Sequence, residues 1–390
     1  MTDNGLIVSG RLILDDRVED GRITVEDGVI AAVEPAGGDA AAGAGGAFIA
    51  PGFVDVHVHG GGGHDAMGDA AALTGMARHL LRHGVTAFLP TAVSAPISSL
   101  AAFAERVRAW LPHAPSDGAE PLGFDLEGPF LADARRGAHD PINLRSPVDV
   151  RLDDIEPLVD GLRLLTIAPE LPGAIELIGW LRERGVATSL GHSAATVEQA
   201  RAGYAAGATS TTHLFNAMGG VDHRAPGLAV AALADDAVWV ELIADGVHVH
   251  PALWPLITRL KPVGRLLLVS DAMALAGMGD GRARVGGLEV EVVGQRVTLV
   301  GTMTLAGSVI TLDDAVRNLV GSGVPLPAAV AAASRNPLAL LGVTDRGRIA
   351  VGQRADLVEL DERLQVRRVM RAGRWMSVVA RESTVQAITW

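Results

Sequence analysis

The sequence contains no cysteine. Disulfides, thiolate nucleophiles and cysteine-type zinc sites are therefore excluded, and a bound metal has only His, Asp and Glu to draw on. Basic residues are in deficit: 33 Lys and Arg against 45 Asp and Glu leave a net charge of −12. Such a chain is a poor partner for nucleic acid or an anionic membrane, and an anionic substrate needs a locally basic pocket. No apolar run reaches the roughly 18 residues of a membrane helix. The opening "MTDNGLIVSGRL" also lacks the charged-then-apolar pattern of a signal peptide. The cytoplasm is the expected compartment.

What is present is apolar: 48% hydrophobic against 20% charged residues, enough for a large core in 390 residues. The first 50 residues hold "LIVSGRLIL", "GRITVEDG" and "VIAAVEPAG", which read as strands broken by Asp-Gly and Gly-Gly turns. The low-complexity "GGDAAAGAGGAF" follows. Near the other end, "GRIAVGQRADLVEL" and "LQVRRVMRAGRWM" have the same texture. Residues 1–52 plus 343–390 are expected to build a small β-sandwich from both chain ends. Between them, residues 53–342 alternate eight strand-like runs with amphipathic runs such as "ISSLAAFAERVRAWL" and "GAIELIGWLRERG". That alternation predicts an α/β fold, a (β/α)8 TIM-type barrel, with a doubly wound open sheet as the competing arrangement. Residues 282–305 read as a β insertion after the eighth strand.

Barrel enzymes carry their chemistry at the C-terminal ends of the strands. Strand one runs into "FVDVHVHGGGGHD" and ends with His57 and His59. Strand three ends with Glu127, strand five with His192, strand six with His213 and strand eight with Asp271. Residues two apart on a strand share a face, so His57 and His59 can grip one ion. The glycines that follow are expected to let backbone pass close to ion and substrate. A single strand histidine is more often a core or surface residue than a ligand. Glu127 alone fits a helix cap, and Asp271 alone a structural acceptor. Agreement among five strand ends is what gives the pattern weight. His79, His83 and His113 fall in helical or loop runs and are expected to be solvated; His64 receives no role.

Taken jointly, "PGFVDVHVHG", "DLEGPF", "RRGAHD", "LGHS", "THLFNAM", "HRAPGL", "ADGVHV" and "SDAM" resemble the amidohydrolase superfamily and, within it, the N-acetylglucosamine-6-phosphate deacetylase family. The resemblance covers roughly residues 5 to 375. It implies that Glu127, His192 and His213 hold the main divalent ion, Glu127 standing where many amidohydrolases use a carboxylated lysine. His57 and His59 would hold a second ion with Glu127 and Asp271. Some members lack the HxH pair and use one metal, so the count is one or two ions. Zinc is foremost; iron, manganese and cobalt suit the same donors. His139 would touch the sugar and polarise the acetamide carbonyl. Asn216 and Ala217 would meet the phosphate, and Arg224 and His248 would bind it, with a neighbouring subunit as a source of one of them. Leu305, Ala306 and Gly307 would line the sugar or acetyl pocket. The resemblance also implies a homodimer and a small amino-sugar phosphate as partner.

The residues support the same chemistry. A divalent ion makes hydroxide available near neutral pH, and a nearby carboxylate can relay the proton to the leaving amine; Asp271 is positioned by sequence for that role. Arg224 precedes "APGL" on a loop, where its forked guanidinium suits a phosphate or plain solvent equally. His248 and His250 make a second HxH, with His250, beside Pro251, read as structural. Arg135 and Arg136 either add positive potential near His139 or are solvated. The reaction expected is hydrolysis of N-acetyl-D-glucosamine 6-phosphate to the free amine and acetate. N-acetylgalactosamine phosphate, an unphosphorylated N-acetyl sugar or another amide are the alternatives. The chain's one lysine is Lys261, outside strand four, which argues against amidases bridged by a carboxylated lysine, the dihydroorotase and hydantoinase type. A scaffold stripped of its ligands is disfavoured because every expected ligand is present.

Overall fold

Strand Phe53–Val58 is buried at every position, as a parallel strand must be when helices cover one face and a barrel interior the other. The computed structural model describes residues 5–35 and 46–376 and contains eight strands in this arrangement. They are Phe53–Val58, Val85–Val93, Phe124–Glu127, Leu162–Ile167, Ala187–Leu190, Ser210–Thr211, Trp239–Leu242 and Leu266–Leu268. Each pairs in parallel with the next in sequence. The ring closes past the end of strand eight, where the Asp271 amide donates to the His57 carbonyl and the His59 amide to that of Ala272, both at 2.9 Å. The (β/α)8 barrel is therefore the fold, and the open sheet is excluded.

The helices follow from their apolar spacing. In Ala70–Arg82, Leu73, Met76, Ala77, Leu80 and Leu81 are buried, a stripe at i, i+3, i+4, i+7 and i+8. The Asp69 side chain caps its start by accepting from the Ala72 amide. Expected helices at residues 97–111 and 173–185 appear as Ile97–Trp110 and Ala174–Glu183. The barrel interior departs from the usual branched aliphatic filling. Asp55, Asp125, Thr166, Ser189, Thr212 and Glu241 are all buried. Thr166 and Thr212, on non-neighbouring strands, share a hydroxyl hydrogen bond of 2.8 Å, a contact that runs through the interior. Burial, with repulsion from Glu241 and Glu127, pushes the Asp125 carboxyl up to about 8.

The chain ends form a separate seven-stranded sheet. Phe48–Pro51 is its junction, parallel to Leu6–Ile13 and antiparallel to Leu357–Leu360. The outer hairpins meet: a Cβ on Gly373 would lie 2.6 Å from the Gly28 Cα, so only glycine fits there. The sheet thus curls over a core of Leu12, Ile23, Ile30, Ile49, Leu357 and Met370. Within the ranges expected for this unit, residues 1–4, 36–45 and 377–390 lie outside the described residues. The β insertion is a three-stranded sheet, Gly281–Val285, Leu288–Val293 and Arg296–Leu299. Val285, Val290, Val292 and Val297 pack it against Met273 and Ala306 as a flap. No described helix is long and apolar enough to cross a membrane.

One expectation is overturned. His83 is buried, not solvated, with Nδ1 3.1 Å from Asp313 Oδ1. It follows Leu80 by three residues and so continues the buried stripe of its helix. Arg317 Nη1 donates to Asp313 Oδ2 at 3.0 Å. His79 is half-buried and His113 exposed. Burial would raise the Asp313 carboxyl, but His83 and Arg317 hold it below the usual carboxylate range. Its contribution to stability is thus complete above the unfolded carboxylate pKa of about 4 and lost as the pH falls below it. Asp313→Ala should cost about 3 kcal/mol at pH 7 by removing the buried anion that both His83 and Arg317 contact. The urea midpoints of variant and parent should converge as the pH is lowered toward 3; a constant gap would refute the charge basis.

Candidate active site

The five strand ends converge as expected. Glu127 Oε1 lies 2.9 Å from His192 Nε2 and 2.9 Å from His213 Nε2, and those two nitrogens are 3.0 Å apart. Beside this triangle, His57 Nε2 and His59 Nε2 are 3.3 Å apart. Asp271 Oδ1 is 3.2 Å from His59 Nε2 and 3.7 Å from His57 Nε2. Glu127 joins the two sets, its Oε2 lying 3.2 Å from His59 Nε2. The backbone is bent to achieve this. His192, His213, Phe215, Ala217 and Asp271 all have positive φ, five of the eight non-glycine residues that do among those described. A left-handed residue at a strand end turns the chain sharply enough to aim its side chain across the mouth, at a cost that clusters at functional sites.

The donor atoms fit a cation. His192 Nδ1 is 2.9 Å from the Arg135 carbonyl and His59 Nδ1 3.1 Å from that of Thr91. A carbonyl only accepts, so both Nδ1 atoms carry protons and each neutral ring presents its Nε2 lone pair to the cluster. Lone pairs and carboxylate oxygens aimed at common points repel unless a cation or extra protons lie between them. Nitrogen and oxygen donors without sulfur suit zinc, iron, manganese or cobalt. Without an ion, His57 and His59 take protons. Burial opposes charge on His59, but hydrogen bonds with Asp271 and Glu127 raise it to about 10. His57 is also raised, against burial, by Glu127 and Glu241. Burial would raise Asp271, yet His59 and His57 hold it below the usual carboxylate range.

His139 is different. Its Nδ1 accepts from the Ser94 amide at 3.2 Å, so the neutral ring bears its proton on Nε2, 3.2 Å from Glu127 Oε2. Burial outweighs the pull of Glu127 and lowers its pKa, keeping a neutral donor at the floor. Above lies a cavity of about 260 Å³. Asn216, Ala217, His248, Leu305, Ala306 and Gly307 line its walls, all expected from sequence. Asp245 Oδ2, 2.7 Å from His248 Nδ1, orients that ring and raises its pKa against burial.

Other expected residues fall elsewhere. Arg224 is exposed on a loop, its amide donating to Asp222 Oδ1, and is absent from the cavity lining. Arg136 pairs with Asp133 at 2.8 Å, while Arg135 contributes through its carbonyl. His250 Nδ1 accepts from the Ala252 amide, a structural cap. The glycines after His59 do not approach the cavity. A Cβ on Gly60 would sit 2.7 Å from the Ala274 amide nitrogen, and Gly62 and Gly63 donate to the Ala276 and Ala274 carbonyls. They let the loop after strand one lie on the loop after Asp271. Ser94, Glu241 and Asp245 were missed. Glu241 had a signal: it is the one charged residue in the run from Val238 to Ala244.

The amidohydrolase family matches residues 48–376. The chain belongs to this family. Amidohydrolases use divalent metal ions, in keeping with two candidate clusters here, His57–His59–Asp271 and Glu127–His139–His192. This amidohydrolase is 40% identical over 369 residues to the N-acetylgalactosamine-6-phosphate deacetylase of Escherichia coli O157:H7, covering 92% of this chain and 96% of that one. It is 39% identical over 360 residues to the N-acetylglucosamine-6-phosphate deacetylase of Homo sapiens, covering 87% and 86%. Among solved structures it is similar to a mutant N-acetyl-D-glucosamine-6-phosphate deacetylase from Mycobacterium smegmatis in complex with N-acetyl-D-glucosamine-6-phosphate. The TM-score is 0.88 at 36% identity, covering 97% of this chain and all of the other.

Ligands must shed protons to coordinate. Adding zinc to the chelated amidohydrolase at pH 7.5 should therefore release about one to two protons per chain, from His57 and His59. Calorimetry in two buffers of different ionisation enthalpy measures this; equal heats in both would contradict protonated imidazoles at the floor.

Proposed function

We propose that the chain is a metal-dependent deacetylase that hydrolyses N-acetyl-D-glucosamine 6-phosphate to D-glucosamine 6-phosphate and acetate. The carrying observation is the geometry of the floor. Two ligand sets sharing Glu127 adjoin a neutral imidazole donor, His139, and an ionised carboxylate, Asp271, beneath a closed-in cavity. Glu127, His192 and His213 would hold one divalent ion, and His57, His59 and Asp271 with Glu127 a second; zinc is the ion we favour. When bound, such ions polarise an amide carbonyl and lower the pKa of water.

The remaining work falls to this chain's side chains. His139 Nε2–H donates to the carbonyl oxygen and stabilises negative charge as it develops there. Asp271, held ionised, takes the proton of the attacking water and returns it to the amine nitrogen as the C–N bond breaks. Leu305, Ala306 and Gly307 enclose the acetyl or sugar group and exclude water. His248, whose Nδ1 is held by Asp245 and whose pKa that carboxylate raises, meets the phosphate with Asn216 and Ala217. Arg224, turned to solvent in the single chain, would complete the phosphate site from a neighbouring subunit of a homodimer. The cytoplasm is the compartment we assign. A second reading, action on N-acetylgalactosamine 6-phosphate, is favoured by the 40% identity to a deacetylase of that name.

Acetate release from the two epimeric phosphates and from unphosphorylated N-acetylglucosamine tests the assignment. Fast release from the gluco phosphate alone is the expected result; faster release from the galacto phosphate would transfer the assignment to that epimer. Asp271→Asn should retain the ion held by Glu127, His192 and His213 yet cut turnover by about 10²–10⁴. Near-normal turnover would remove Asp271 from the proton transfer. Arg224→Ala should raise KM for the phosphorylated sugar while leaving the unphosphorylated sugar's kcat/KM unchanged. Equal losses on both would sink its phosphate role.

A further inference from the structure

We infer that Glu241 is the positioning residue that makes the His57–His59 pair a metal site. The inference rests on reading the floor as two-metal. Three of the four candidate ligand histidines have a hydrogen-bond acceptor on Nδ1. For His59 and His192 it is a backbone carbonyl, which any sequence supplies. For His57 it is a side chain: Nδ1 lies 3.1 Å from Glu241 Oε2. Glu241 sits on strand seven, Trp239–Leu242, fully buried, and reaches through the barrel interior past strand eight to strand one.

The pairing has two consequences. First, a carboxylate only accepts, so the His57 proton is pinned on Nδ1 and its Nε2 lone pair faces His59 Nε2 and Asp271 Oδ1. The negative charge also makes that lone pair more basic than a carbonyl partner would, which strengthens a metal bond. Second, the same Oε2 accepts from the His213 amide at 3.2 Å. One oxygen therefore braces a ligand of each set, His57 in one and His213 in the other. The arrangement is costly without ions. Glu241 Oε1 is buried with no hydrogen-bond partner, and a half-paired buried carboxylate is disfavoured. A cation on His57 offsets that cost; a neutral barrel core would not have it.

The test counts bound zinc by atomic spectroscopy after equilibrium dialysis against buffered zinc, on the full chain. Parent protein, Glu241→Gln and Glu241→Leu are compared. The parent should hold two ions. Glu241→Leu, which removes both acceptors, should weaken the second ion by roughly a hundredfold, and Glu241→Gln, which keeps shape and one acceptor, by roughly tenfold. If the leucine variant does not fold, the glutamine variant carries the comparison. A second readout is the Nδ1–H proton resonance of His57 in the zinc-loaded protein, identified by its loss in His57→Gln. It should move upfield in Glu241→Gln, a change that a merely space-filling role would not produce. Two ions at parental affinity in both variants, with the resonance unmoved, would overturn the role of Glu241 while leaving the two-metal site intact. A parent that binds one ion at saturating zinc would overturn the two-metal reading and this inference together.

Discussion

Everything at the mouth of this barrel is organised by one carboxylate surrounded by imidazoles. Glu127 lies within 3.6 Å of ring nitrogens from His57, His59, His139, His192 and His213. Burial would raise its pKa, yet His139, His192 and His57 hold it well below the usual range. A buried anion is tolerable only if positive charge is permanently at hand. Protonated rings or metal ions both satisfy that condition. Because the five rings come from four different segments, satisfying one carboxylate draws together strands one, five and six and the loop after strand three.

That constraint explains features which look unrelated. Barrel closure uses the His57 carbonyl and the Asp271 amide, so the same backbone that closes the sheet carries two of the ligands. The left-handed conformations of His192, His213 and Asp271 are the local price of aiming side chains inward from strands whose direction is set by the barrel. The polar interior belongs to the same logic. Asp55, which accepts from the Ser270 and His57 amides, and Glu241, which accepts from His57 and His213, support the ligands from below. A barrel filled with aliphatic residues would leave His57 Nδ1 without the acceptor that orients it.

The sequence was readable where chemistry imposes spacing. Eight apolar runs separated by amphipathic helices announced the barrel, and His57 and His59, two apart at a strand end, announced the floor. Glu127, His192, His213 and Asp271 added weight by falling at corresponding places. What could not be read was contact between distant segments. His83 pairs with Asp313, 230 positions away, and Glu241 with His57, 184 away. Nothing in the local pattern around either residue names its partner. The glycines after His59 were open to two uses, approach to substrate or approach to another loop; only the neighbouring Ala274 backbone decides between them.

Floor and rim therefore differ in physical character. The floor is built on strand ends and backbone hydrogen bonds, which hold its donors in place within a rigid scaffold. The rim is built on loops and the flap, where Val285 and Ala306 sit in a small apolar cluster and Arg224 projects to solvent. Under the proposed function, the amide would be recognised at the floor by the same groups whatever sugar carries it. On the same proposal, sugar hydroxyls and phosphate would be met at the rim by backbone, by small side chains at Ala217, Ala306 and Gly307, and by His248. Such a rim can change its preference by small loop movements without disturbing a single ligand. Under the proposed function this would fit the similarity of about 40% to deacetylases named for two different epimers: a shared floor would do the hydrolysis, and the choice of sugar would rest on the least constrained part of the fold.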